Sequence, residues 1–416
     1  MYEKEVLKNG VRLICEPMDS VRSAAVGFWV GSGSRHEPEG LGGISHALEH
    51  MVFKGTQSRT AARIAEEMDA IGGQVNAFTT KELTAFYARA LDSHMDTAIE
   101  LLGDIFFSPR LSEGDWQTER GVILEEIGMY EDSPEDLVGE ELFAAVYKTN
   151  PLGRPILGRA ATLNAMTAAD MASYRRDNYT PGRLVVSLAG RYSARDRDSL
   201  AAMLEALPPR PEAAMIPGEY TPAFTQKQKP IEQNHLCLGF PSLPAGHPER
   251  YTLQVLNGIL GSGMSSRLFQ TVREQNGLCY SVYSFTAAHA DTGVLGVYTA
   301  LGKETEKEAL RLSLKVIGEL REKGPTPEEV DRVREQIKAN VLMGLESTSS
   351  RMHHLGQSEL LMGKISTPDE IIERYDAVTR EGILNLAGQI LDTSAMSFSA
   401  VGNVEGTDYR QLTIDN

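Results

Sequence analysis

The sequence has little cysteine: Cys15, Cys237 and Cys279 are the three thiols in 416 residues. The number is odd and no two lie close together. That leaves no disulfide framework and no CxxC metal site, and a reducing compartment is the simplest expectation. Long apolar runs are missing as well. No stretch approaches the roughly 18 uninterrupted apolar residues of a membrane span. The opening MYEKEVLKNGVRLICEPM has no apolar signal core behind a basic start and no Arg- and Ser-rich leader. A cytoplasmic protein with no membrane partner is expected. Basic charge is in deficit too, with 41 Lys+Arg against 57 Asp+Glu and a net charge of −16. A general nucleic-acid binder needs a basic footprint, so no nucleic-acid partner is expected. An acidic balance suits a basic partner or substrate.

The rest of the composition is that of a soluble globular protein: 41% hydrophobic and 24% charged residues. The length allows two or three domains with real cores. Pro208, Pro209, Pro211, Pro217, Pro222 and Pro230 crowd a stretch with little periodicity. It reads as a linker over about 208–230, close to the midpoint. The flanking halves look alike near their ends. Asn164-Ala165-Met166-Thr167 and Asp376-Ala377-Val378-Thr379 each precede a helical stretch. A strand follows each, LVVSLAG at 184–190 and MSFSAVG at 396–402. Asn164 and Asp376 are 212 apart, as are Gly190 and Gly402. Two matches at one offset point to duplicated domains. Short strands mix with amphipathic helices without strict βαβ alternation, which favours α+β. Residues 73–90 read as a strand pair turning at Lys81-Glu82, and helices are expected near 45–53, 94–106 and 113–131.

The chemistry concentrates in Leu41-Gly42-Gly43-Ile44-Ser45-His46-Ala47-Leu48-Glu49-His50. Positions 46, 49 and 50 share one face of a helix. Two imidazoles one turn apart can reach one zinc ion, and the glutamate beside them can hold a water. This is H-x-x-E-H, the inverted zinc-peptidase signature. A catalytic zinc site takes a third protein ligand and keeps an open position. The acidic stretch 112–127 offers one. Ser112 can cap a helix there. Glu119 and Glu126, two turns apart, project from nearly the same face, whereas Glu125 points about 100° away. Either of the pair can bind the metal while the other supports a ligating histidine.

These residues resemble the pitrilysin/insulinase family of zinc peptidases, and within it the short-chain mitochondrial processing peptidase-like subfamily. The resemblance rests on GGISHALEHMVFKGT (42–56), GGQVNAFTTKELTAFYARA (72–90), ERGVILEEI (119–127) and SSRLFQTVREQNGLCYSVYS (265–284). It implies two similar, duplicated α/β-roll domains, each a mostly antiparallel sheet packed with helices. They are expected at 1–212, zinc-binding, and 225–416, metal-free. It implies that one Zn2+ per chain is held by His46, His50 and Glu126, with Glu49 as base and Glu119 as supporting acid. In the family, an arginine and a tyrosine seven residues apart complete the site from the second domain. Arg273 and Tyr280 stand at that spacing. Strand alternation from Leu278 places Tyr280 and Val282 on one face. The second half has no histidine pair where the duplicated helix falls; 257–267 reads NGILGSGMSSR.

The activity implied is zinc-dependent endopeptidase action on peptides or unfolded segments held in extended form. Gln74, Asn76, Ala77 and Phe78 read as an edge strand to which a peptide can add. The resemblance also implies a homodimer in which Arg273 and Tyr280 serve the partner chain's zinc across a cavity. The competing expectation is a non-catalytic scaffold or substrate-binding subunit of the same family. Such members usually lose part of H-x-x-E-H, and here it is whole.

Overall fold

The apolar runs of the first half become strands covered on two faces. The computed structural model of the protein describes residues 2–211 and 215–414. Residues 212–214, where the first domain was expected to end, lie outside the described residues. The first sheet contains β1 (Glu3–Val6), β2 (Arg12–Pro17), β3 (Ser23–Val30), β4 (Gln74–Thr79), β5 (Thr84–Leu91) and β6 (Leu184–Gly190). Its order is β1-β2-β6-β3-β5-β4. β2 and β6 are parallel, and the other pairs are antiparallel.

β3, SAAVGFWV, and β6, LVVSLAG, are apolar at almost every position instead of alternating. A strand reads that way when both its faces are buried. Val26, Phe28, Phe86 and Val186 face a core shared with Leu48 and Met51 of the helix Ile44–Val52 and with Leu101 of the helix Met95–Phe107. Ala25, Trp29, Val185 and Ala189 face the other way, onto Met352 and Leu355 of the helix Thr348–Met362. Two polar groups in that second layer are satisfied locally. Trp29 Nε1 donates to Ser187 Oγ at 2.8 Å, and Ser187 donates to the Met352 carbonyl at 2.8 Å.

The second sheet contains β7 (Phe224–Gln228), β8 (Asn234–Ser242), β9 (Cys279–Ala288), β10 (Gly293–Leu301) and β11 (Ser397–Gly402). Its order is β7-β11-β8-β10-β9. Again one pair, β7 with β11, is parallel and the rest are antiparallel. Strand for strand this repeats β2-β6-β3-β5-β4. One face of the sheet packs on helices that include Arg250–Gly261 and Glu306–Lys323. The other packs on Val138, Leu142 and Val146 of the helix Pro134–Tyr147.

The duplication seen in the sequence has a backbone counterpart. Gly190 and Gly402 end β6 and β11 with φ of +121° and +146°. A Cβ on Gly190 would lie 2.4 Å from the Ser23 carbonyl, and one on Gly402 would lie 2.3 Å from Asn234 Oδ1. Both positions need glycine.

The compact units are not the two halves of the sequence. One runs through Ile127, then takes Arg154–Ile216 and Met343–Ser366. The other takes Gly128–Gly153, Pro217–Leu342 and the chain from Thr367 on. The expected contiguous division at 1–212 and 225–416 is corrected accordingly. It describes the sheets, but each sheet has a second apolar face, and a helix from the opposite half of the sequence closes it. The linker is also shorter than 208–230, because Phe224–Gln228 is already β7. Cys15 and Cys237 are buried and Cys279 is half-buried, all as free thiols. No helix among the described residues is long and apolar enough to cross a membrane.

Candidate metal centre

The H-x-x-E-H segment forms the helix Ile44–Val52. Gly43 precedes it with φ +95°, and a Cβ there would lie 2.7 Å from the Leu157 carbonyl. The helix start has no side-chain cap of its own. Instead the buried Glu37 carboxylate accepts from Gly43 N at 2.7 Å and Ser45 N at 2.8 Å. Those are two of the donors a helix N-terminus leaves unpaired. Ala47, Leu48 and Met51 are buried in the core. That fixes the rotation of the helix and leaves His46, Glu49 and His50 on the opposite side.

The third donor comes from the helix Glu113–Glu131. Asp115 N donates to Ser112 Oγ at 3.2 Å, as expected for the cap. Trp116 and Ile123 are fully buried, and Trp116 Nε1 donates to the Met166 carbonyl at 2.7 Å. Glu119 lies between these two anchors and is buried; Glu126 is one turn beyond Ile123 and remains partly open.

His46, His50 and Glu126 converge, with their ligand atoms all within 4.8 Å of one another. Glu126 Oε2 is 3.7 Å from His46 Nε2 and 3.6 Å from His50 Nε2. Ligands at about 2.0–2.1 Å from a tetrahedral zinc ion stand roughly 3.4 Å apart. The three groups therefore fit a metal with small adjustments. The chemistry of the donors fits as well. Burial, then the neighbouring His50, pushes the His46 imidazole down to about 3, so it is neutral and has a lone pair to give. Zinc is favoured by two imidazoles and a carboxylate over a hard, all-oxygen ion.

Glu119 stands behind His50, with Oε1 2.9 Å from His50 Nδ1. With the proton on Nδ1 pointing at this carboxylate, Nε2 is free for the metal. Lys54 Nζ pairs with the other oxygen of Glu119 at 2.5 Å. Motif spacing did not single out Lys54. Its position four residues after His50, one turn on, was the available signal.

Glu49 is not among the three donors. Its carboxyl is raised above the ordinary value by burial, against the opposing pull of a hydrogen bond from Thr79. Thr79 Oγ1 donates to Glu49 Oε2 at 2.6 Å. This contact was also missed, because nothing in the sequence pairs a strand threonine with a helix glutamate.

Gln74, Asn76, Ala77 and Phe78 lie on β4, which is the edge of its sheet. Asn76 Oδ1 accepts from Ala77 N at 2.8 Å. Ala77 faces the core that holds the motif helix, whereas Phe78 faces the opposite layer. The Phe78 ring stacks on His353 at 5.9 Å and meets Trp29 edge-on at 6.1 Å. It is packed against its own chain.

Arg273 and Tyr280 come together in the other unit. The Arg273 guanidinium lies over the Tyr280 ring at 5.0 Å and over the Phe269 ring at 4.6 Å. The expected alternation around Tyr280 is corrected. Ser281 pairs with Ala300, yet Cys279 pairs with Leu301, so Tyr280 is an extra residue in a β-bulge. Tyr280 is 79% exposed while Val282 is buried. The bulge turns the phenol out of the sheet, as bulges near functional sites do.

Comparisons with known proteins give the family and the fold. Residues 12–160 match the domain described as insulinase (peptidase family M16), and residues 165–337 match the peptidase M16 inactive domain. YmxG, an uncharacterized zinc protease of Bacillus subtilis (strain 168), is 42% identical over 408 residues. The match spans 97% of this chain and 100% of that protein. Rv2782c, an uncharacterized zinc protease of Mycobacterium tuberculosis (strain ATCC 25618 / H37Rv), is 38% identical over 400 residues, 93% of this chain and 90% of that one. Two solved structures share the fold. The peptidase M16 inactive domain from Pseudomonas fluorescens superposes with a TM-score of 0.90 at 20% identity, over 97% of this chain and 98% of that one. A protease from Helicobacter pylori gives 0.88 at 21% identity, over 97% and 99%. The chain belongs to the insulinase family of peptidases, M16.

Proposed function

We propose that the protein is a zinc endopeptidase that hydrolyses peptides or unfolded segments held in extended form. The observation that supports this most directly is the convergence of His46 Nε2, His50 Nε2 and Glu126 Oε2, with Glu49 beside them and outside the ligand set. A zinc ion held by these groups supplies Lewis acidity, which acidifies water and polarises the scissile carbonyl. Glu49 takes the proton of the attacking water as its oxygen bonds to the carbonyl carbon. It returns that proton to the amine as the C–N bond breaks. Glu119 holds the proton of His50 Nδ1 throughout. Arg273 and Tyr280 are donors suited to the developing oxyanion. The exposed bulge position of Tyr280 supports that role.

The free edge of β4 supports docking of an extended peptide by main-chain pairing, with Asn76 swinging off Ala77 N to let it in. We further propose a homodimer in which Arg273 and Tyr280 of one chain serve the zinc of the other, and a cytoplasmic location. The net charge of −16 supports a preference for basic peptides. That preference is dropped if a basic peptide and its neutral analogue are cleaved equally at low and high salt.

The deciding experiment is metal analysis of the purified protein together with cleavage of a quenched peptide, with and without chelator, for wild type and Glu49→Gln. Zinc is retained in the variant, because Glu49 is not a ligand, while hydrolysis collapses. Turnover that survives Glu49→Gln removes the base assignment. Full zinc occupancy in Glu126→Gln moves the third ligand elsewhere.

A further inference from the structure

Thr79 closes β4 and pairs across the ladder with Thr84, which opens β5. Its hydroxyl donates to Glu49 Oε2 at 2.6 Å. The Thr84 hydroxyl is 3.4 Å away and could compete for that proton. Thr84 gives its own proton to the Ser32 carbonyl at 2.9 Å, so towards Thr79 it can only accept, and at 3.4 Å it is a far weaker acceptor than the carboxylate oxygen at 2.6 Å. Thr79 therefore has one short acceptor, the Glu49 carboxylate. Its direction is not left to a flexible side chain. Ala77 and Thr79, two apart on β4, point to the same side of the sheet, towards the motif helix. Thr84 is fully buried and pairs with Val30 of β3, so the anchor is a central part of the sheet.

We propose that Thr79 is the positioning residue of the general base. It holds one oxygen of Glu49 so that the other faces the attacking water, and it makes that orientation depend on the strand to which the peptide adds. This rests on reading Glu49 as the base. A carboxylate free to rotate about its last torsion presents a usable oxygen only part of the time. A charge-assisted hydrogen bond from a rigid strand removes that freedom. The contact adds no affinity for the peptide, so its effect belongs in kcat and not in KM.

The test compares Thr79→Val, which keeps the shape and loses the hydroxyl, with Thr79→Ser, which keeps the hydroxyl. The probe is an internally quenched basic peptide and the full-length, zinc-loaded protein. In Thr79→Val, kcat falls about 10- to 100-fold, the share expected of one hydrogen bond to a charged group. KM, zinc content and the thermal midpoint stay close to wild type. Thr79→Ser recovers most of kcat. Wild-type kcat in Thr79→Val overturns the proposal, as does a serine variant as slow as the valine one. A rise in KM at constant kcat also overturns it, assigning Thr79 to peptide docking instead. Should the valine variant fail to fold, Thr79→Ala against Thr79→Ser reads the same quantity. Failure here is separable from failure of the base reading. If Glu49→Gln abolishes turnover while Thr79→Val does not alter it, only the positioning role is lost.

Discussion

His50 Nδ1 and Glu119 Oε1 stand 2.9 Å apart, and this contact decides which nitrogen of His50 is available to a metal. Glu119 is buried between Trp116 and Ile123, so it cannot turn away to solvent. Its charge is balanced by Lys54. Removing the carboxylate in Glu119→Ala frees the His50 ring and leaves Lys54 unpaired. Zinc affinity, read by competition with a chromophoric chelator, is expected to fall about 10- to 100-fold, the usual cost of losing such a partner. Glu126→Gln is expected to lose more. Equal affinity in Glu119→Ala and wild type would reduce the contact to a structural ion pair.

Tyr280 gives a test of the dimer. It is 79% exposed and sits in a bulge, so Tyr280→Phe leaves the thermal midpoint unchanged. Turnover is expected to fall by about two orders of magnitude, as when one oxyanion donor is removed. If Tyr280 acts on the partner's zinc, mixing inactive Glu49→Gln with inactive Tyr280→Phe restores activity. The mixed dimer then has one site with an intact Glu49 and an intact tyrosine from its neighbour. Mixing that restores nothing, once subunit exchange is demonstrated, places the tyrosine in the same chain as its zinc or outside the reaction.

The spacing of His46, Glu49 and His50 and the face shared by Glu119 and Glu126 were legible in the sequence, because a helix converts residue intervals into directions. The fold was legible where it left repeats, in the paired segments ending at Gly190 and Gly402. The crossing helices were not legible. Continuous apolar runs such as LVVSLAG say that both faces are covered, and nothing in them says by which helix. The bulge at Tyr280 was missed for a related reason: alternation assumes regular pairing, and one extra residue reverses it. Thr79 and Lys54 escaped because their partners are distant in sequence and common in type.

Gly356 offers a sign that helix propensity alone gets wrong. It lies in the helix Thr348–Met362, where Gly→Ala ordinarily stabilises by about 1 kcal/mol. Here a Cβ would sit 2.0 Å from Trp29 Nε1 and 2.3 Å from its ring carbons. The indole is fully buried and held by Ser187, so it cannot yield cheaply. Gly356→Ala is expected to destabilise by about 1–3 kcal/mol, the range of overpacked cores. A higher urea midpoint than wild type would show that this layer has slack.

Acid stability is set in part by His36, whose Nδ1 accepts from Gly33 N at 3.2 Å. Burial first, then the Arg183 cation, pushes its imidazole down to about 4. An unfolded chain takes up that proton near pH 6.5, while the folded chain resists it until near pH 4. Between those values the unfolded state binds more protons, so stability rises with pH. The contribution is complete above about pH 6.5 and is lost as pH falls towards 4, on the order of 3 kcal/mol at most. His36→Asn keeps an oxygen for Gly33 N and has nothing to titrate. Urea midpoints of the metal-free protein from about pH 7 to 4.5 are therefore expected to fall less steeply in the variant. His46 titrates in both proteins, so the difference between the two slopes belongs to His36. Parallel slopes would mean that His36 is protonated as readily in the folded chain as in the unfolded one.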